Sequence, residues 1–251
     1  MFKRKINLLT AAGLSVASTI HAAYPLVVDD AAIVPLGETE LVTYYEGSFG
    51  SGERLHTFPV EITHGIHSRL EVGIGFGLQI LDDRDAGDRE RGVLDTALAV
   101  KAIILEQSDE LPFSLTSELA VSMPTGSERR GLGSGSFDLG INFAATREWE
   151  HTALDLNAGY FFAEHLRGRR ADGDEWFLGA ALRHMATDAV ETFIEITVEL
   201  PVGSSSGAVT TVRVGANWEI VDNLFLGVGG GPSFGTDSPD MVVTAGTTWV
   251  F

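Results

Sequence analysis

The sequence contains no cysteine, and beyond its first two dozen residues no long hydrophobic run. The first absence excludes a disulfide scaffold and thiolate chemistry. The second excludes helical membrane spans, which need about 20 predominantly apolar residues in a row. Cations are scarce too: 17 Lys and Arg stand against 35 Asp and Glu, for a formal charge of −18. So acidic a chain is a poor partner for nucleic acid. Yet 44% of the residues are hydrophobic. They are dispersed in alternation with small and polar residues, which points to strands and not to a helix bundle.

The first 23 residues have a basic start (Lys3, Arg4, Lys5), an apolar stretch from Ile6 to Ile20, and small residues at Ala22 and Ala23. This order reads as a secretory signal peptide cleaved after Ala22 or Ala23. Removing its three cations takes the formal charge from −18 to −21. Any membrane crossing must then use strands, closed so that every backbone group is paired.

Alternation from there to the end divides the chain into about twelve segments of a length suited to a tilted membrane strand. They start near Thr39, Leu55, Arg69, Val93, Phe113, Phe137, Thr152, Glu175, Val190, Val209, Asn223 and Met241. In one of them Leu70, Val72, Ile74, Phe76, Leu78 and Ile80 share a face, while Glu71, Gly73, Gly75, Gly77 and Gln79 occupy the other. A helix would mix those two sets. Short connections (Gly65 to Ser68, Arg147 to His151, Ala186 to Ala189) alternate with longer, charged or glycine-rich ones (Leu81 to Gly92, Pro124 to Ser136, Glu164 to Asp174). Short periplasmic turns and long outer loops produce that alternation. A soluble β-sandwich would instead carry polar outer faces. The last strand has Val243, Ala245, Thr247 and Trp249 on one face and ends in Phe251, resembling the terminal strand by which the barrel assembly machinery recognises outer-membrane barrels. Trp149, Trp218 and Trp249 fall at inner strand ends and Trp176 at an outer end, as interfacial girdles require. The expected fold is all-β: an antiparallel up-and-down transmembrane barrel of about 12 strands over residues 39–251. Residues 24–38 precede it as a periplasmic or lumen-plugging segment whose Leu26, Val27, Val28, Ile33 and Val34 need shelter.

Several stretches carry a more specific resemblance. Tyr24-Pro25-Leu26-Val27-Val28-Asp29-Asp30 opens the mature chain, and Gly92-Val93-Leu94-Asp95 follows with Lys101 six residues on. Then come Ser122-Met123-Pro124-Thr125-Gly126, the run Gly131-Leu132-Gly133-Ser134-Gly135-Ser136-Phe137-Asp138-Leu139-Gly140, and Asn157-Ala158-Gly159-Tyr160. Together these resemble a family of outer-membrane barrels named after a gene in the meta-cleavage pathway of phenol degradation. The resemblance implies a transporter considered for small hydrophobic or aromatic compounds. The glycine-rich run itself lacks the Lys-Ser/Thr of a phosphate-binding loop and opens a strand, not a helix.

If the apolar parity faces lipid, the other parity lines the lumen: Glu61, Glu71, Asp95, Lys101, Glu118, Asp138, Asn142, Asp155, Asn157, Arg183, Glu191, Glu195, Glu199, Arg213 and Asn217. The interior is then predominantly acidic and favours cations. Lys101, Arg183 and Arg213 are expected among carboxylates of neighbouring strands, and Glu191, Glu195 and Glu199 form a ladder that guides cations or merely solvates the wall. Inward glycines, among them Gly179 and Gly229, leave room inside. No catalytic set emerges: His64 and His67 flank a short turn, His151 lies in another and His165 in an outer loop. No metal or cofactor is expected, and Asp82, Asp83, Asp85 and Asp88 are interleaved with Arg84, Arg89 and Arg91 as in a solvated loop. Arg129, Arg130, Arg167, Arg169 and Arg170 lie in outer loops within reach of surface glycolipid. The expectation is a monomeric, non-enzymatic channel or transporter for small molecules in the Gram-negative outer membrane. Its partners are membrane lipids, an unidentified solute and the barrel assembly machinery. A lipid-modifying enzyme and a non-transporting structural barrel are the alternatives.

Overall fold

The computed structural model describes residues 25–83, 87–163, 174–203, 207–236 and 238–251. The expected signal peptide, Tyr24, and the loop arginines Arg84, Arg167, Arg169 and Arg170 lie outside those residues, as does His165. Among the described residues thirteen strands follow one another: β1 (Thr39–Phe49), β2 (Glu53–His67), β3 (Leu70–Asp83), β4 (Asp88–Val93), β5 (Thr96–Leu105), β6 (Ser114–Met123), β7 (Asp138–Glu148), β8 (Thr152–Ala163), β9 (Glu175–Thr187), β10 (Val190–Pro201), β11 (Val209–Val221), β12 (Leu224–Phe234) and β13 (Met241–Val250). Twelve of them close an antiparallel barrel, each stave pairing with its neighbours and β13 pairing back on β1, with Leu41 opposite Trp249. Closure leaves no open sheet edge at membrane depth, where an unpaired backbone group would be costly.

The extra strand, β4, lies where a solvated loop is expected. The lower half of β3, Leu70 to Gly75, pairs with β5, but its upper half, Leu78 to Asp83, pairs with β4. At this end β4 takes the place of β5 beside β3, while β2 stays paired with β1 as far as Phe49 opposite Arg54.

Side chains alternate as the sequence requires. Phe76, Leu78, Leu119, Leu156, Leu182, Ile194 and Val228 are exposed on the outer surface, and Trp149, Trp176, Trp218 and Trp249 are about half exposed there. Small turns join the staves at one end, the Asn223 turn using a positive φ of 62°. Both Thr39 and Phe251 sit at that end, bonded to each other through their backbones. The longer loops lie at the opposite end.

Candidate functional site

The inward parity builds a polar lumen, and residues 25–34 run inside it. The segment enters beside β2, where Gly37 N–H donates to the Gly65 carbonyl at 2.8 Å. A Cβ at Gly65 would strike the Pro35 carbonyl oxygen, so only glycine lets the chain cross that stave. From there the segment rises past staves on every side of the barrel. Val34 N–H donates to Glu71 on β3, Ala31 N–H to Thr146 Oγ1 on β7 at 2.7 Å, and Val27 and Val28 N–H both to Glu195 Oε2 on β10 at 3.0 Å. Asn157 on β8 grips Asp29 twice, accepting from its N–H at 2.8 Å and donating Nδ2 to its carbonyl at 2.7 Å. Inserted backbone has no sheet partner, so these wall side chains supply the bonds that a buried main chain requires.

Two further contacts hold the segment. Lys101 Nζ on β5, 1% exposed, lies 2.9 and 2.8 Å from the Asp29 carboxylate oxygens and donates to the Asp30 carbonyl at 2.8 Å. Asp30 in turn lies 3.6 Å from Arg183 on β9. Burial pushes the Asp29 carboxyl up to about 8, Lys101 opposing the rise and Asp30 and Glu71 adding to it. Leu26 and Val28 pack with Ala181 and Phe193 into a small apolar cluster inside the lumen. A Cβ at Gly179 would lie 2.8 Å from Val28 Cγ2, and one at Gly229 3.1 Å from Pro25 Cγ. These glycines give the segment its room.

The sequence matches the family described as "Putative MetA-pathway of phenol degradation" over residues 28–251. The chain belongs to that family. Among solved structures the barrel is similar to an outer membrane channel from Pseudomonas putida F1, at 17% identity and a TM-score of 0.70, covering 88% of this chain and 98% of that one. It is also similar to the NanC porin, at 6% identity and a TM-score of 0.58 over 84% of this chain and 98% of that one. The KdgM porin, in complex with disordered oligogalacturonate, gives 11% identity and a TM-score of 0.56 over 84% and 99%. At such identities the likeness is one of fold. No curated protein is significantly similar in sequence.

Most of the family member's wall residues anticipated from alternation do face inward, though often with partners. Arg183 holds Asp155 with two bonds, Nε at 2.6 Å and Nη2 at 3.2 Å, and reaches Glu191 at 3.1 Å. Arg213 lies 3.1 Å from Glu195, and Asn217 donates to the other Glu191 oxygen at 3.4 Å. Glu191 and Glu195 are therefore rungs of ion pairs and not a free cation ladder, while Glu199 sits higher on β10 opposite Val209. Glu71, Lys101 and Glu118 are register neighbours across β3, β5 and β6, with Asn142 next on β7. Tyr44 donates to Glu61 at 3.0 Å. Lys101 thus stands among carboxylates of neighbouring staves, as expected, and the inserted segment adds its bonded partners, Asp29 and the Asp30 carbonyl.

Asp95 is a correction. It precedes β5 and does not line the wall: its carboxylate accepts from Gly126 N–H and Ser134 N–H at 2.7 Å each and from Ser134 Oγ at 3.2 Å. It ties down the glycine-rich loop. Asp138 is the first residue of β7 and accepts from Ser136 Oγ at 3.0 Å, so it too belongs to the rim. Sequence reasoning missed Asp29, Asp30, Thr146 and Phe193. Phe193 carried a signal, being an aromatic on the polar parity between Glu191 and Glu195.

Proposed function

We propose that the chain is an exported outer-membrane channel for small solutes, whose passage is governed by residues 25–34. The observation that carries this reading is the polarity of the wall behind the segment. A water-filled barrel lumen requires a polar wall, and these staves line it with Lys, Arg, Asn and carboxylates. The segment is held by hydrogen bonds and ion pairs that water can replace, which suits a removable occupant. Glu40 adds two buried carboxylate oxygens without a hydrogen-bond partner and Glu118 one. Carboxylates outnumber Lys101, Arg183 and Arg213 in the lumen, and a cleft of one sign concentrates counter-ions, so cations pass in preference to anions.

A second reading concerns the solute. Phe193 and Ala181 become an apolar wall patch once Leu26 and Val28 leave, and the family is described by a phenol-degradation pathway. Small aromatic compounds fit that patch. Proteoliposome swelling with a series of neutral sugars, amino-acid cations and phenols tests both readings. Flux of at least one class, absent from protein-free vesicles, supports the channel. No flux of any class refutes it and returns a structural or enzymatic barrel to the front.

A further inference from the structure

At the loop end of the barrel, the sheet formed by β4 and the adjoining ends of β2 and β3 sorts most of its charges by sign between two faces. Register places Arg54, Asp82 and Arg89 in one row, His56, Ile80 and Arg91 in the row below, and Phe58, Leu78 and Val93 in the next. Side chains paired across strands share a face. Leu78 and Val93 are exposed on the lipid side, so all three rows look outward. The intervening rows look toward the barrel axis: Glu53, Asp83 and Asp88 together, then Leu55, Leu81 and Glu90. Among the described residues here, three arginines and a histidine thus face outward against Asp82, while four carboxylates face inward, in a chain whose formal charge is −18.

Height gives the basic face its meaning. Rows lie about 6.6 Å apart at ~3.3 Å rise per residue, so the arginines begin within one or two rows of the apolar belt. That is the level at which headgroups replace hydrocarbon. Aromatic side chains flank the patch as they do at interfaces. Phe49 stands beside Arg54, whose guanidinium lies 5.8 Å from its ring centroid, and Tyr45 bonds His56 at 2.8 Å. Asp82 engages Arg89 at 3.1 Å, yet the Arg89 side chain is still 65% exposed. Arg91 is exposed too.

We infer that this outward face binds the phosphate groups of a glycolipid in the outer leaflet. Arginine is suited to phosphate because its planar fork presents paired donors and its charge persists at any physiological pH. The alternation of sign serves the same end: of the carboxylates that would repel a phosphate, Asp82 alone among the described residues of these three strand ends shares the basic face, and it is paired with Arg89. The site is separate from the lumen, and its test does not depend on conduction.

The full barrel in detergent is titrated with the bis-phosphorylated glycolipid of outer membranes and, separately, with its dephosphorylated form, and bound lipid per barrel is read by native mass spectrometry. The triple variant Arg54→Gln, Arg89→Gln, Arg91→Gln should lose on the order of 100-fold in affinity for the phosphorylated lipid, each basic residue near an anionic surface contributing about fivefold. The inward-face variant Glu53→Gln, Asp83→Asn, Asp88→Asn should not weaken it, and dephosphorylated lipid should bind the parent and the arginine variant alike. Heat-modifiable electrophoretic mobility checks folding, and Arg91→Gln alone, with its fivefold loss, keeps the question open to refutation should the triple variant misfold. Unchanged affinity in the arginine variants, or equal affinity of the parent for the two lipids, overturns the inference.

Discussion

Replacing Lys101 with Met should release residues 25–34 from the lumen. The methionine fills much of the same volume but removes the ammonium that contacts both Asp29 oxygens and the Asp30 carbonyl. Deleting one partner of a buried pair costs about 3 to 5 kcal/mol. Asp29 sits up at about 8 even with Lys101 opposing the rise, so without the ammonium the carboxyl stays neutral and no unpaired charge is left, which holds the loss near 3 kcal/mol, the lower end of that range. At 1.4 kcal/mol per decade, such a loss raises the population of the released state by about 100-fold. The absence of native cysteine supplies the assay. Val28, fully buried in the inserted state, becomes Val28→Cys, a single thiol whose labelling by a water-soluble reagent follows the released population when opening is faster than labelling. Labelling should accelerate about 100-fold in the Lys101→Met background, with the heat-modifiable barrel intact. A rate within threefold of the Val28→Cys parent would refute the role assigned to Lys101.

Acidity should tighten the segment and alkalinity loosen it. The Asp29 carboxyl is raised from its ordinary 3.8 to about 8 on insertion, so its contribution to retention is full below about pH 4 and is lost as pH rises through about 8. Bilayer conductance should accordingly be larger at pH 9 than at pH 5, and a pH-independent conductance would remove Asp29 from the account. At the outer end, Asp95→Ala leaves the Gly126 and Ser134 N–H groups without their acceptor, at a local cost of about 2 kcal/mol. Proteolysis within residues 124–136 should speed up while barrel melting stays unchanged; equal cleavage rates would show that the loop is held by other contacts.

Hydropathy made the staves legible wherever the two parities differ in polarity. Ile194 and Ile196 against Glu191 and Glu195 could be assigned to lipid and lumen without a structure, and the starts of β1, β8, β9, β10, β11 and β13 coincide with those expected. The strand β4 escaped because its two faces are both charged: Arg89 and Arg91 alternate with Asp88 and Glu90, a period of two in sign that hydropathy does not register. Asp95 was misplaced for a related reason, since a carboxylate just before a strand shares the parity of that strand's inward residues while serving the loop. The docking of residues 25–34 depends on contacts 37 to 168 residues apart in sequence, such as Val34 with Glu71 and Val27 with Glu195. Alternation along single strands holds no information about those. The apolar residues of the segment announced a need for shelter, but the polar grip on its backbone came from the wall.

Conduction controlled by the segment can be switched in a single protein. Gly179 faces Val28 closely enough for a disulfide between Val28→Cys and Gly179→Cys, in a chain without competing thiols. Solute flux into proteoliposomes carrying that double variant should fall to the protein-free background when oxidised and return on reduction with dithiothreitol. Equal flux in the two redox states would contradict the claim that residues 25–34 govern the passage.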